Sequence, residues 1–185
     1  VIGKIKDVRK AVTMDAKRPQ DLVYVLGETR DELGGSEWFA LHKAVGNKVP
    51  RVDAAGALKM YRALHKAMEA GLVASCHDCS DGGLAVALIE TAFAGGLGMN
   101  VDLQDVPYRG KKRNDYILFS ETASRFVVTI HPKDQKKFEK ILAGNVLSEI
   151  GFVTGDELFR ITGLKDRLII NEKIGKLKKA WQMPL

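Results

Sequence analysis

The chain has 185 residues, 45% of them hydrophobic, with 29 basic and 23 acidic residues and a formal net charge of +6. That length fits one domain, or one domain with an extra arm, and is enough to bury a core. The basic residues are spread out and dense only at Lys111-Lys112-Arg113 and from Lys173 to Lys179. This argues against a concentrated nucleic-acid face, and the lack of an apolar run near 20 residues argues against a membrane-spanning helix.

The chain opens on Val1-Ile2-Gly3, strand-like and without an initiator methionine. A fragment of a longer protein is expected. Residues 5–14 alternate loosely, with Ile5, Val8 and Val12 apolar. Residues 17–21 hold Pro19 and Asp21 and read as a turn. The apolar run 22–27 predicts a buried strand. Gly34-Gly35-Ser36 follows. Its glycines could cradle an anion, but a loop ending in an N-capping Ser36 explains them with less, and a helix over 37–45 is expected.

Asp53 is a second N-cap, before a helix over 54–70. Leu58, Tyr61, Leu64, Met68 and Leu72 are expected as its apolar stripe, with Gly71 ending it. His65 reads as a packed or half-exposed helix residue rather than a ligand.

The chain is organised around residues 75–84, Ser-Cys-His-Asp-Cys-Ser-Asp-Gly-Gly-Leu. The apolar segment 71–74 before it predicts a strand. The apolar run 84–94 after it predicts a buried helix. The two glycines let backbone N–H groups approach a ligand, and a helix start adds unpaired donors and a positive dipole end. Asp78 and Asp81 suit Mg²⁺ better than a bare anion. A nucleotide phosphate with its metal is the first hypothesis. Cys76 and Cys79, spaced C-x-x-C, could be a redox pair, but two small buried thiols explain them better. With no second pair, a four-cysteine zinc site within one chain is excluded. So few cysteines point to a reducing, cytoplasmic compartment.

Strands are expected at 97–103, 116–119, 125–130, 150–155, 158–161 and 167–170, with a polar basic loop over 105–114. A helix begins near Pro132 and Asp134 with Phe138, Ile141 and Leu142 inward, and a basic helix over 174–180 ends the chain. Residues 119–125 and 155–158 read as hairpin connections. The expected fold is α+β, a mixed and largely antiparallel sheet with helices packed on it.

Four motifs stand in order: residues 26–37 (Leu-Gly-Glu-Thr … Glu-Leu-Gly-Gly-Ser-Glu), 77–88, 119–126 (Phe-Ser-Glu-Thr-Ala-Ser-Arg-Phe) and 150–155 (Ile-Gly-Phe-Val-Thr-Gly). Over essentially the whole chain this set resembles the C-terminal domain type of the aminoimidazole ribonucleotide synthetase superfamily, as it occurs last in the phosphoribosylformylglycinamidine synthases. The resemblance implies ATP-dependent C–N ligation in purine biosynthesis. Formylglycinamide ribonucleotide, ATP and glutamine-derived ammonia become the amidine, ADP and phosphate. It implies ATP or ADP and Mg²⁺ as cofactors, with Asp78 at a metal position, Ser80, Asp81, Gly82 and Gly83 at the nucleotide, and Glu121 at a substrate site or pseudo-site. No residue of this domain is expected to be catalytic, and the chain is expected to be inactive alone. Implied partners are the remaining domains of the subunit, a separate glutaminase and a small bridging subunit, with homodimerisation of the isolated domain possible. Residues 180–185 resemble the natural end of the family's small form. Two alternatives stay open. One is a structural or dimerisation domain. The other is another ATP-dependent member of the superfamily, such as a thiamine-phosphate kinase or selenophosphate synthetase.

Overall fold

The computed structural model describes residues 3–5 and 7–183. The strand-like reading of Val1-Ile2 and the reading of the last two residues lie outside the described residues. Seven strands form one sheet, met in chain order as β1 (Leu22–Leu26), β3 (Ser75–Asp78), β4 (Gly98–Asp102), β6 (Phe126–Ile130), β7 (Leu147–Thr154), β8 (Leu158–Thr162) and β9 (Leu168–Lys173). A separate two-stranded ribbon pairs β2 (Thr29–Arg30) with β5 (Tyr108–Arg109). The main sheet runs β3-β6-β1-β7-β4-β8-β9. Only β4 with β8 is parallel within it; the other neighbours are antiparallel. The expected α+β architecture is what forms.

Alternation along β1 shows how the layers arise. Successive strand residues face opposite sides of a sheet. Val23 and Val25 enter one core with α3 (Gly83–Gly95) and α6 (Ile174–Gln182). Tyr24 and Leu26 enter another with α2 (Ala54–Glu69) and α5 (Gln135–Leu142). Both faces of β1 are therefore buried, and its sequence reads as a continuous apolar run. Helix α3 is apolar almost all round because it is trapped between the sheet, α6 and α4 (Asn114–Phe119). Leu84 and Leu88 on it are fully buried, each worth about 2 kcal/mol of apolar transfer.

Several expectations are corrected. Residues 116–119 are the end of helix α4, not a strand. A four-residue apolar run carries no period that separates the two. Residues 119–125 therefore join a helix to β6 and form no hairpin. Residues 155–158 join β7 to β8, but β4 lies between those strands. The strand before the central motif is Ser75–Asp78, inside the motif, rather than residues 71–74. Helix α1 (Glu37–Leu41) has five residues and stops well short of Val45. The stripe on α2 is turned by about one residue. Ala57, Met60, Leu64 and Ala67 are buried, whereas Leu58 and Tyr61 are exposed. The two faces differ by about 100° of helix rotation, so Leu64 belongs to the observed stripe, Met68 packs at its edge and Leu72 is buried just past the helix end, while Leu58 and Tyr61 do not belong to it.

Candidate functional site

Strand β3 delivers the central loop to one end of the sheet. Asp78 is its last residue, and the Cys79 N–H donates to the Arg125 carbonyl at 3.0 Å. Ser80 Oγ donates to Asp78 Oδ2 at 2.5 Å, which fixes the carboxylate relative to the turn. Gly82 and Gly83 both take left-handed backbone angles, φ +76° and +66°. A Cβ at Gly83 would press on the Ser120 carbonyl and lie 3.0 Å from the Leu118 carbonyl. Glycine here is a packing requirement as well as a turn requirement.

The glycine N–H groups do not wait for a ligand. Gly82 donates to Glu121 Oε1 at 2.9 Å, and Gly83 to the Ser80 carbonyl at 3.0 Å. The Glu37 N–H, in the first turn of α1, donates to the same Glu121 oxygen at 2.9 Å. The Glu121 carboxylate thus occupies the position at the start of α3 that the sequence suggested for a phosphate. The Gly34-Gly35-Ser36 stretch is a capped loop, with Ser36 Oγ accepting from the Phe39 N–H at 3.3 Å.

Behind Glu121 runs a buried corner. Arg125 is 1% exposed and donates through Nε to the Thr122 carbonyl (2.9 Å), through Nη1 to Thr29 Oγ1 (2.9 Å) and through Nη2 to the Ser120 carbonyl. Burial draws its affinity for the proton down, while Cys79, Glu32 and Glu121 support the charge. Ser120 Oγ donates to the Arg30 carbonyl and ties β2 to the corner. Ser124 adopts φ +63°, unusual for a non-glycine residue, and receives a hydrogen bond from the Tyr61 hydroxyl at 2.9 Å.

These elements enclose a pocket of about 610 Å³. Asp78, Ser80, Asp81 and Glu121 all line it. Gly82 and Gly83 shape it from the backbone. Tyr61, Arg125 and Pro50 also reach it and were not among the expected residues. The sequence places Tyr61 in the apolar stripe of α2; only the fold brings its hydroxyl to Ser124 Oγ beside the pocket. Arg125 opens an apolar strand, a position where a charge invites explanation. Across the pocket stand three carboxylates, Asp78, Asp81 and Glu121, and one guanidinium, Arg125. That excess repels a bare phosphate and attracts a hard cation. Yet among the described residues no three His, Cys, Asp or Glu side chains cluster as a complete metal centre. The donors have the right chemistry for Mg²⁺ but are too few to hold it unaided.

Both cysteines are free. Burial first, and the nearby Asp78 carboxylate second, push the Cys76 thiol up to about 12; burial pushes Cys79 up to about 11. Reactive cysteines require the opposite shift. His65 is an exposed α2 residue with Nε2 3.6 Å from Glu69 Oε1.

Residues 18–163 match the family described as AIR synthase related protein, C-terminal domain. The chain belongs to that family. The AIR synthase related domain is also 36% identical to the phosphoribosylformylglycinamidine synthase subunit PurL of Alkaliphilus metalliredigens over 186 residues, covering 98% of this chain and 24% of that protein. The chain thus spans about a quarter of the curated relative's length. Among solved structures, T. maritima PurL complexed with FGAR has a TM-score of 0.79 at 24% identity, over 92% of this chain and 30% of that one. T. maritima PurL complexed with ATP has a TM-score of 0.74 at 23% identity, over 92% and 27%. These likenesses establish that the domain has the fold seen in PurL.

Proposed function

We propose that this domain is the C-terminal part of a phosphoribosylformylglycinamidine synthase, and that its pocket forms one wall of a Mg²⁺–nucleotide site. The single observation that carries the site assignment is the convergence of Asp78, Ser80, Asp81 and Glu121 on one acidic pocket. The 36% identity to PurL across nearly the whole chain supports the reaction: formylglycinamide ribonucleotide, ATP and glutamine-derived ammonia yielding the amidine, ADP and phosphate.

In this reading Asp78 supplies a metal ligand and Ser80 holds it in place. Asp78, with Asp81 beside it, would hold Mg²⁺, which would supply positive charge to offset that of the nucleotide phosphates. Glu121 acts as a strut. It accepts from the starts of α3 and α1 and so sets the spacing of the two walls. Phosphoryl transfer requires the γ-phosphate, metal and acceptor to be positioned together. One wall does not suffice, and the domain is inactive alone. The remaining domains of the subunit complete the site, with a separate glutaminase and a small bridging subunit delivering ammonia in the cytoplasm. Exposed apolar groups such as Leu41, Val45 and Val52 give a second copy or another domain a surface to cover.

A second reading has its own support. With the Gly82 and Gly83 N–H groups already satisfied by the protein, the loop could serve only as a strand–helix connection in a scaffold. Asp78→Ala and Ser80→Ala in the full-length subunit separate the two. The nucleotide reading expects reduced bound nucleotide and reduced synthetase activity. Unchanged nucleotide content and turnover would leave only the scaffold.

A further inference from the structure

A second cleft lies across the Ala123–Ser124 corner from the acidic pocket, about 290 Å³ in volume. Its charge is of the opposite sign. Arg30, Arg51, Lys59 and Arg109 line it, against only Glu28 and Asp53. The parallel pairing of β2 with β5 sets Arg30 beside Arg109, an arrangement of like charges that costs stability unless an anion joins them. Glu28 does this in part. It accepts from Arg30 Nε at 3.0 Å and lies 3.1 Å from Arg109 Nη2. One carboxylate between two guanidiniums leaves a positive charge over. Asp53 is committed elsewhere, accepting from the Gly56 N–H at the start of α2 at 3.1 Å. Lys59 Nζ spans the cleft to the Gly144 carbonyl at 2.5 Å, and Arg51 forms no ion pair among the described residues. The Ser124 hydroxyl, which accepts from Tyr61, keeps its own proton to donate, whereas Thr122 and the Asn145 amide donate to the Arg30 and Leu142 carbonyls.

We infer that this cleft is a separate binding site for a phosphate monoester, taken as the free dianion without a metal. Four cations against two carboxylates leave two positive charges, which match a phosphate dianion. Guanidinium forks suit its oxygens in a way that a point charge does not. The two clefts therefore sort ligands by charge. The acidic pocket suits a phosphate that arrives with its cation, and the basic cleft suits a bare one. The second site stands independently of the nucleotide reading, because none of its four cations lines the acidic pocket.

The test is a calorimetric titration of the purified chain with ribose 5-phosphate, at constant ionic strength and without Mg²⁺, with unphosphorylated ribose as the control. Ribose 5-phosphate is expected to bind in the millimolar range or tighter, and ribose is not. Arg51→Ala with Lys59→Ala should weaken binding at least tenfold, and Arg109→Gln should do so separately should the double variant lose its fold. Asp78→Asn should leave it intact. No binding at about 10 mM, equal binding by the basic-cleft variants, or loss of binding in Asp78→Asn would each overturn the assignment.

Discussion

Gly83 carries the sharpest constraint at the central loop. Its left-handed backbone and the Ser120 and Leu118 carbonyls leave no room for a methyl group. Gly83→Ala is expected to destabilise the chain by about 3 kcal/mol, read from a denaturant midpoint. Arg125 is the buried counterpart. Replacing it with Leu strands the Thr122 and Ser120 carbonyls and Thr29 Oγ1, and a loss of about 3 kcal/mol is expected by the same measurement. Asp21 works in the opposite direction. It is 1% exposed, and neither carboxylate oxygen accepts a well-formed hydrogen bond, Arg18 Nε standing 3.5 Å from Oδ1. Burial raises its pKa above 3.8, opposed only by Arg18 and His131. The folded chain therefore holds this proton more tightly than the unfolded chain does. The penalty is full above the folded pKa and vanishes as the pH falls to 3.8. Asp31 and Asp115, lowered chiefly by hydrogen bonds from Lys48 and Arg113, behave oppositely. Their stabilisation is present above 3.8 and is lost as the pH falls through their folded values. Asp21→Asn should remove only the upper slope and raise stability at neutral pH, as unfolding midpoints against pH will show. Of the site residues, Asp78, Ser80 and Asp81 were legible in the sequence because carboxylates and a hydroxyl crowd beside paired glycines, and Glu121 only through the family resemblance of residues 119–126. Tyr61 and Pro50 were not, since they lie in other segments and only the fold brings them to the loop.

Among the elements, α2 offers the most direct check on how the core was assigned. Leu64 is 4% exposed and Leu58 is 49% exposed. Leu64→Ala is expected to cost about 3 kcal/mol, and Leu58→Ala less than about 0.5 kcal/mol, by chemical denaturation. Equal effects would place the stripe as the sequence first suggested. That suggestion went astray because large side chains were weighted over Ala57 and Ala67, which pack closely by virtue of being small. Elements trapped between layers were easier. Strand β1 is apolar on both faces and helix α3 almost all round, and helix α6 has a clear polar face. Helix α4 was misread because its apolar stretch is too short to show a period. What turned the helix start of α3 from a presumed phosphate cradle into an occupied one was Glu121, far off in sequence. No local pattern reports a carboxylate that arrives from another segment.

At the scale of the whole molecule, strand order was the least legible feature. β4 enters between β7 and β8, so these two chain neighbours are not sheet neighbours. That interleaving is long-range and leaves no mark on hydrophobic alternation. Its consequence is functional geometry. β3 and β1 share β6 as a neighbour, and both run toward the end of the sheet where the corner at residues 120–125 gathers. The acidic and basic clefts flank that corner. The central claim is that the acidic one meets a metal-bound nucleotide through Asp78. The most direct measurement is the dissociation constant of Mg²⁺·ADP for the full-length subunit carrying Asp78→Asn, beside the unaltered protein. Weakening of at least tenfold, about 1.4 kcal/mol or more, is expected. A dissociation constant unchanged by the substitution would contradict it.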